Sequence, residues 1–432
     1  MKKEISTIHF KALFLSLFCI IALGSSSNLF AFQDENDSFK EYKGKVVDSE
    51  SRKPLIFADI AATGTNISTI SNKEGKFSIK IPNGSSTTSL TISFLGYETL
   101  TVNLNSLDKR SNTIYLVPTI TQLEQISINA PKDAESLVKL MLNGRGEKYI
   151  RDRTIMTAFY RETIRKRKKN ASLTEAVVKI FKQPYHTAKS DAVELVKSRK
   201  NTNYSRLDTI ALKLQGGPFG ALYSDIVKYP DYVFNEETFP YYEFSFSPIT
   251  EVDDRPVYVV DFKQRPNIVT PLYKGKLYID SQSFALISAS YELNVENKDE
   301  AVKLFLKKKP RRVDVEPVVA KYKVDYKITD GRWYYNYSNL QLSFRVKWPK
   351  KLFSSTYTLD VEMAVTDWNN NLVAKINPKN RIRSTVILSD KASGFSDPEF
   401  WGEYNIIEPE KSIESAIRKI SRQLSRIEKS KE

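Results

Sequence analysis

Cysteine and histidine are almost missing from this sequence. Cys19 is its only cysteine, and two histidines, His9 and His186, stand among 432 residues. One cysteine cannot build a disulfide framework. Cys19 lies inside an apolar run and follows Phe18, whereas a lipidation site needs a small residue before its cysteine, so lipid attachment is not expected. A zinc peptidase usually takes two histidines and a carboxylate, and that site cannot be assembled around His186 alone. A Ser-His-Asp triad would need the same His186, which sits in the turn-like Gln183-Pro184-Tyr185-His186, and the chain has no nucleophile-elbow motif. No catalytic residue, metal or cofactor is therefore expected. Glycine is scarce as well, at 15 residues against 23 Tyr and 23 Phe, which suggests aromatic-rich strands rather than disorder.

Positive charge, by contrast, is in excess. The formal net charge is +15 and the pI about 9.4, values that suit an anionic partner such as nucleic acid, lipid headgroups or acidic glycans. Residues 1–31 read as a secretory signal peptide: Lys2, Lys3 and Lys11 open it, and Ala12 to Gly24 forms an apolar core too short to span a bilayer comfortably. Cleavage is expected near Ala31, with an uncleaved anchor as the alternative. Removing this segment takes away three lysines and Glu4, so the remaining chain stays basic and carries no transmembrane segment. Residues 32–41 form a polar, acidic leader, expected to be flexible.

The stretch from Gly44 to Leu104 has the clearest pattern. Short apolar-alternating runs are separated by turn clusters at intervals of about ten residues, which predicts a small antiparallel sandwich. Val46 and Val47 fall in a first strand and Leu55 to Ala62 form a second. A third runs from Ile67 to Ser71. Phe77, Ile79 and Ile81 then alternate with Ser78 and Lys80, so one face should be buried and the other wet. Leu90, Ile92 and Phe94 repeat the pattern.

Gly44-x-Val46-x-Asp48, Pro54-Leu55, Ala58, Gly64-Thr65, Gly75-x-Phe77 and Ser93-Phe94-x-Gly96-Tyr97 together resemble the carboxypeptidase-like regulatory domain. The resemblance covers residues 42–118. It implies a transthyretin-like β-sandwich without catalytic activity. Domains of this kind also precede the plug and barrel of many TonB-dependent transporters. A fold of this kind is not in itself a function.

Residues 119–150 read as a connector followed by a helix. Asp133 can cap that helix and Leu137, Leu140 and Met141 recur at helical spacing, while Gly144 and Gly146 weaken its second half. Residues 151–405 read as a curved β domain. It begins with a hairpin whose tip is basic, at Arg165, Lys166, Arg167, Lys168 and Lys169. The tip is either a solvated turn or a docking site for anionic lipid or glycan. Leu212 to Gly220 suggests a phosphate loop only superficially, because no Gly-Lys-Ser/Thr ending follows; it is expected to break a helical segment as a structural turn.

From Tyr241 onward, strand-like runs follow one another: Val257 to Phe262, Gly275 to Asp280, Phe284 to Leu293, Val318 to Ile328, Trp333 to Tyr337, Leu340 to Val346 and Tyr357 to Thr366. Asp330-Gly331 is a strong hairpin signal. So many meandering strands must curl to bury one face. The expected fold is mainly β: the sandwich, then a strongly curved antiparallel sheet or half-barrel with a few helices. Its shape resembles the periplasmic lipoprotein-carrier fold, an open sheet with a greasy concave side.

Gly216-Gly217-Pro218 with Asp225 to Lys228, Tyr273 to Asp280, Lys307 to Arg311 and Phe400 to Asn405 resemble a family of Gram-negative envelope proteins. These pair a regulatory-type sandwich with a long β-rich region, and the resemblance brings no known activity with it. Residues 406–432 include a terminal helix with an apolar stripe at Ile413, Ile417, Ile420, Leu424 and Ile427, destined either to pack on the sheet or to serve a membrane-surface or coiled-coil role.

The acidic pairs Glu236-Glu237 and Asp253-Asp254 are adjacent rather than facing, and neighbouring strand residues point to opposite faces. The leading expectation is a non-catalytic exported protein of the periplasm or outer membrane. It would act as a binding or interaction module toward an envelope protein, anionic lipid or glycan rather than nucleic acid. Candidate anion or membrane contacts are Arg165, Lys166, Arg167, Lys168 and Lys169, with Lys307, Lys308, Lys309, Arg311 and Arg312. A carboxylate-based glycan hydrolase would instead need acidic side chains converging in a sugar-sized pocket. A structural scaffold would show a filled concave face and no pocket.

Overall fold

Alternation of apolar and polar residues sets the first strands. The computed structural model describes residues 38–108, 111–119, 131–167, 169–202, 216–252, 255–305, 313–349, 351–369, 375–394, 400–415 and 417. Seven strands form the sandwich: β1 (Phe39–Asp48), β2 (Asp59–Ala62), β3 (Ser68–Ile70), β4 (Lys76–Pro82), β5 (Ser89–Ser93), β6 (Leu100–Asn103) and β7 (Thr113–Leu116). One sheet has the order β4-β1-β7 and the other β3-β2-β5-β6. Val46, Ala58, Ile60, Phe77, Ile79, Leu90 and Ile92 close on one another as its core.

Two expectations need correction here. The second strand is shorter than residues 55–62, because Phe57 takes a φ of +68° and interrupts the extended run. The outer face of β4, expected to be wet, is partly covered. Ser78 is buried and donates to Glu41 at 2.6 Å, and the Lys80 N–H donates to Asn405 Oδ1 at 2.6 Å.

The second region is one open sheet. Its strands are β8 (Thr154–Lys166), β9 (Lys169–Lys182), β10 (Ala192–Thr202), β11 (Tyr242–Val252), β12 (Arg255–Gln264), β13 (Tyr273–Asp280), β14 (Leu286–Leu293), β15 (Asp314–Thr329), β16 (Arg332–Lys347), β17 (Ser355–Asn369), β18 (Arg381–Ile382) and β19 (Ser393–Gly394). The order is β11-β12-β13-β14-β15-β16-β17-β8-β9-β10-β18, every neighbour antiparallel, with β19 parallel to β10. The runs 333–337 and 340–346 are one strand, because Tyr337, Ser338 and Asn339 stay paired with Ala364, Met363 and Glu362. Asp330 and Gly331 both take positive φ, +50° and +71°, as a tight two-residue hairpin of twisted strands requires.

Short helices among the described residues accompany the sheet, including α1 (Ala134–Asn143), α2 (Arg145–Lys148), α3 (Pro218–Leu222) and α4 (Lys298–Phe305). Asp133 caps α1 by accepting from Ser136 N at 2.7 Å, a bond worth about 1 kcal/mol. Gly216-Gly217-Pro218 starts a described helix, and whether it breaks a preceding one falls outside the described residues. Residues 203–215 lie outside the described residues.

The concave side is not open and greasy. Leu137, Val138 and Met141 of α1, with Phe219, Leu222, Ile226 and Phe234, share one core with Val260, Leu277, Tyr291, Met363, Ile180 and Val193. Strands from nearly the whole path thus wrap the same filling. A curved apolar face cannot stay wet without losing the free energy of burial, and residues 134–141 and 219–234 cover it.

On the outer side the sandwich and the segment 400–410 sit against β8, β9, β16 and β17. Ile70 packs with Phe159, Val177, Tyr337, Ala364, Trp401 and Ile407. Cross-bonds fix this joint: Asn66 to Trp368 O at 2.8 Å, Thr69 to Ile406 O at 3.0 Å, Asn72 to Glu408 O at 3.0 Å, and Gly96 N to Glu251 O at 2.7 Å. Residues 411–415 are helical, and Ile413 packs on Leu173 with Ile417 beside it. The rest of the terminal stripe, like the signal segment and most of the connector, lies outside the described residues.

Candidate functional site

Two buried charge clusters occupy the two faces of the large sheet. On the concave side, Lys182 ends β9 inside an apolar run. Its ammonium donates to Asp191 Oδ2 at 2.8 Å and Asp225 Oδ2 at 2.7 Å. Tyr185 and Tyr326 donate to the two oxygens of Asp225 at 2.6 and 2.7 Å, and Gln183 N donates to Asp191 Oδ1 at 2.7 Å. Burial disfavours the charge on Lys182, but Asp191 and Asp225 outweigh it and hold the ammonium above its ordinary value. Asp225 belongs to the filling segment, so this cluster clasps the filling to the sheet. Next to it, burial pulls Lys228 down to about 8, and its ammonium donates to Pro184 O and Thr187 O at 2.7 Å each.

On the outer side Arg161 and Arg199 grip the two oxygens of Glu175, at 2.8 and 2.9 Å. Arg161 also donates to Ile407 O at 2.6 Å and faces Glu362 at 3.6 Å, so it ties the segment 400–410 to β8. Burial alone would raise Glu175, but the two guanidiniums hold it below the usual carboxylate range. Glu362 gains less from Arg161, and burial pushes it up to about 7.

Near Glu362 the acidic residues Asp360 and Glu410 converge, with Lys73 and Arg165 among them. The cavity there is about 10 Å³. A sugar ring cannot enter it, so the convergence demanded by a glycan hydrolase is met here without room for substrate. No group of three or more His, Cys, Asp or Glu is arranged to hold a metal ion among the described residues.

The roomier concavity lies between sandwich and sheet. It measures about 600 Å³, within the range of small-molecule sites. Phe57, Phe94, Leu95, Val252, Ile287 and Ile328 give it apolar walls. Four of its charged residues form two pairs, Lys327 with Asp59 at 2.7 Å, and Lys323 with Asp325, which also accepts from Ser288 at 2.6 Å; Asp330 lines it as well. Trp333 Nε1 and Tyr337 Oη, from two residues lining this cleft, are buried and make no hydrogen bond. A wider groove of about 810 Å³ crosses the outer face of β11 to β15, floored by exposed ion pairs such as Lys276–Asp261 and Lys274–Glu292.

Arg165, Lys166, Arg167 and Lys169 sit at the turn between β8 and β9, while Lys168 lies outside the described residues. Arg165 is 3.3 Å from Asp360, Lys166 lies over the Tyr357 ring, and Arg167 and Lys169 are exposed. Lys307, Lys308, Lys309, Arg311 and Arg312 lie outside the described residues. His186, Glu236 and Glu237 are exposed. Sequence reasoning missed Arg161, Glu175 and Lys182. The one available signal was a charge within a strand rich in apolar residues on both parities.

A sandwich with a parallel β1–β7 pair, fixed to a curved open sheet, defines the class of protein. Residues 42–128 match the sequence model of the CarboxypepD_reg-like domain, a non-catalytic family. Among solved structures, a DUF1329 family protein from Desulfovibrio piger is similar at 10% identity and a TM-score of 0.23, over 57% of this chain and 96% of its own. MucB is similar at 10% identity and a TM-score of 0.19, over 54% of this chain and 92% of its own. No curated protein matches the chain. No helix among the described residues is long and apolar enough to cross a membrane.

Proposed function

We propose that this chain is a non-catalytic, exported envelope module that binds a small amphiphilic ligand in the cleft between sandwich and sheet. The observation that carries the reading is the cleft itself. It has apolar walls and a polar floor in which Lys327 pairs with Asp59 and Lys323 with Asp325, with the exposed Asp330 also lining it, which suits a molecule with an apolar body and polar groups. The non-catalytic reading draws on the use of Asp191, Asp225 and Glu175 as clasps between segments. Export rests on the basic start and short apolar core of residues 1–31. The filled concave face is what a scaffold would show, but a scaffold has no use for the cleft.

Native mass spectrometry of the protein isolated from the envelope fraction tests this. A non-covalent small-molecule adduct is expected on the wild type and should be lost in Ser93→Trp, which fills the cleft from β5. Absence of an adduct, or its persistence in Ser93→Trp, overturns the reading.

A further inference from the structure

The β17–β8 pairing brings two loop tips together at one end of the sheet. Lys166 stands opposite Tyr357, and Arg167 N donates to Thr356 O at 2.8 Å. The turn between β8 and β9 therefore lies beside the turn between β16 and β17. The second turn carries Trp348, Lys351, Leu352 and Phe353. Leu352 and Phe353 are 88% and 73% exposed, among the highest values for large apolar side chains among the described residues. Water is a poor solvent for such a pair, and an exposed apolar apex marks a contact surface more than a core.

Charge surrounds this apex. Arg167, Lys169, Lys347 and Lys351 are exposed on the two turns; the acidic residues nearby are Asp314, opposite Lys347 at the start of β15, Glu316, 3.6 Å from Arg345, and Glu410 on the segment beside Asn170. Trp348 is half-buried below the apex, with the Lys351 ammonium 5.8 Å from its ring. An apolar apex, an indole beneath it and a collar of cations match the layers of a lipid interface. Acyl chains take the apolar residues, the headgroup zone takes Trp, and anionic headgroups take Lys and Arg.

We propose that this end of the sheet docks on an anionic lipid bilayer, with Leu352 and Phe353 entering the interface and Arg167, Lys169 and Lys347 on its headgroups. The docking does not depend on whether the cleft holds a ligand. Ser68 of β3 and Asn66 before it bond to Val365 O and Trp368 O toward the opposite end of β17, while Lys73 of the sandwich reaches Asp360 beside Arg165.

Trp348 supplies the readout. The other three tryptophans, Trp333, Trp368 and Trp401, are buried. The purified exported protein is mixed with phosphatidylglycerol-containing vesicles and with pure phosphatidylcholine vesicles, at low and high salt. Sedimentation with the anionic vesicles alone, weakened by salt, is expected, together with a blue shift of tryptophan emission that disappears in Trp348→Phe. Arg167→Ser with Lys169→Ser should weaken binding roughly thirtyfold, from the gain per basic residue at such a surface. Leu352→Ser with Phe353→Ser should remove the blue shift. Lys379→Ser with Arg383→Ser, which removes equal charge at the opposite end of β10, should leave binding as it is. Circular dichroism checks that each variant is folded. Equal binding to both vesicle types, an equal loss in the Lys379/Arg383 variant, or no binding at all overturns the proposal; the last leaves the tip as a protein contact.

Discussion

Burial pushes the Glu162 carboxyl up to about 7, against the single hydrogen bond that Tyr160 donates to it at 3.1 Å. Its folded-state pKa is thus above the unfolded value of 4.5. Between those two values the folded chain holds more protons than the unfolded one, so this group's contribution to stability falls as pH rises through the window. Glu162→Gln keeps the shape and cannot ionise. Its melting temperature relative to wild type should therefore climb between pH 5 and pH 8, by the equivalent of roughly 2–4 kcal/mol at full ionisation. Parallel melting curves for the two proteins across that range would show that Glu162 is not held protonated. Glu175, one strand away, is the opposite case: two arginines keep it charged, and its removal would strand their guanidiniums in the interior.

Among the elements, β13 and β14 pair Gly275 with Tyr291. A Cβ there would meet Ser290 O at 2.3 Å and Tyr291 Cα at 2.6 Å, both backbone atoms that cannot swing aside. Gly275→Ala should cost about 1–3 kcal/mol as an overpacked contact and should show amide exchange rising first along β13 and β14. A variant as stable as the wild type would mean that the strands part at little cost. Much of this level was legible in advance. The Asp330-Gly331 turn, the cap at Asp133, the β8–β9 hairpin and the terminal-helix start each depend on residues close in sequence. The strand break expected between Tyr337 and Leu340 failed because pairing with β17 holds Ser338 and Asn339 extended, a constraint from residues beyond local reach.

At the scale of the whole molecule, the sandwich, the segment 400–410 and the sheet share one apolar joint and a row of cross-bonds. Domains joined so closely should unfold together. Calorimetry is expected to give a single transition, and Asn72→Ala, which frees Glu408 O and the turn at Glu74 and Lys76, should lower its midpoint without splitting it. Two resolved transitions in the wild type would show that sandwich and sheet fold independently and that the cleft between them is not a fixed shape.

The sequence by itself determined the mainly β character, the N-terminal sandwich and the basic hairpin tip. Strand alternation and turn chemistry are local, and the matching positions of the regulatory domain are close in sequence. Only the tertiary structure decided that residues 134–141 and 219–234 fill the concave face, and that Lys182, Arg161 and Glu175 are buried. A strand covered on both faces loses the alternation that reveals which side is wet. The same limit hid Leu352 and Phe353. Two apolar residues in a row look like any strand end until the pairing of Tyr357 with Lys166 sets them beside Arg167, because neighbours across a sheet are chosen by register and not by distance along the chain.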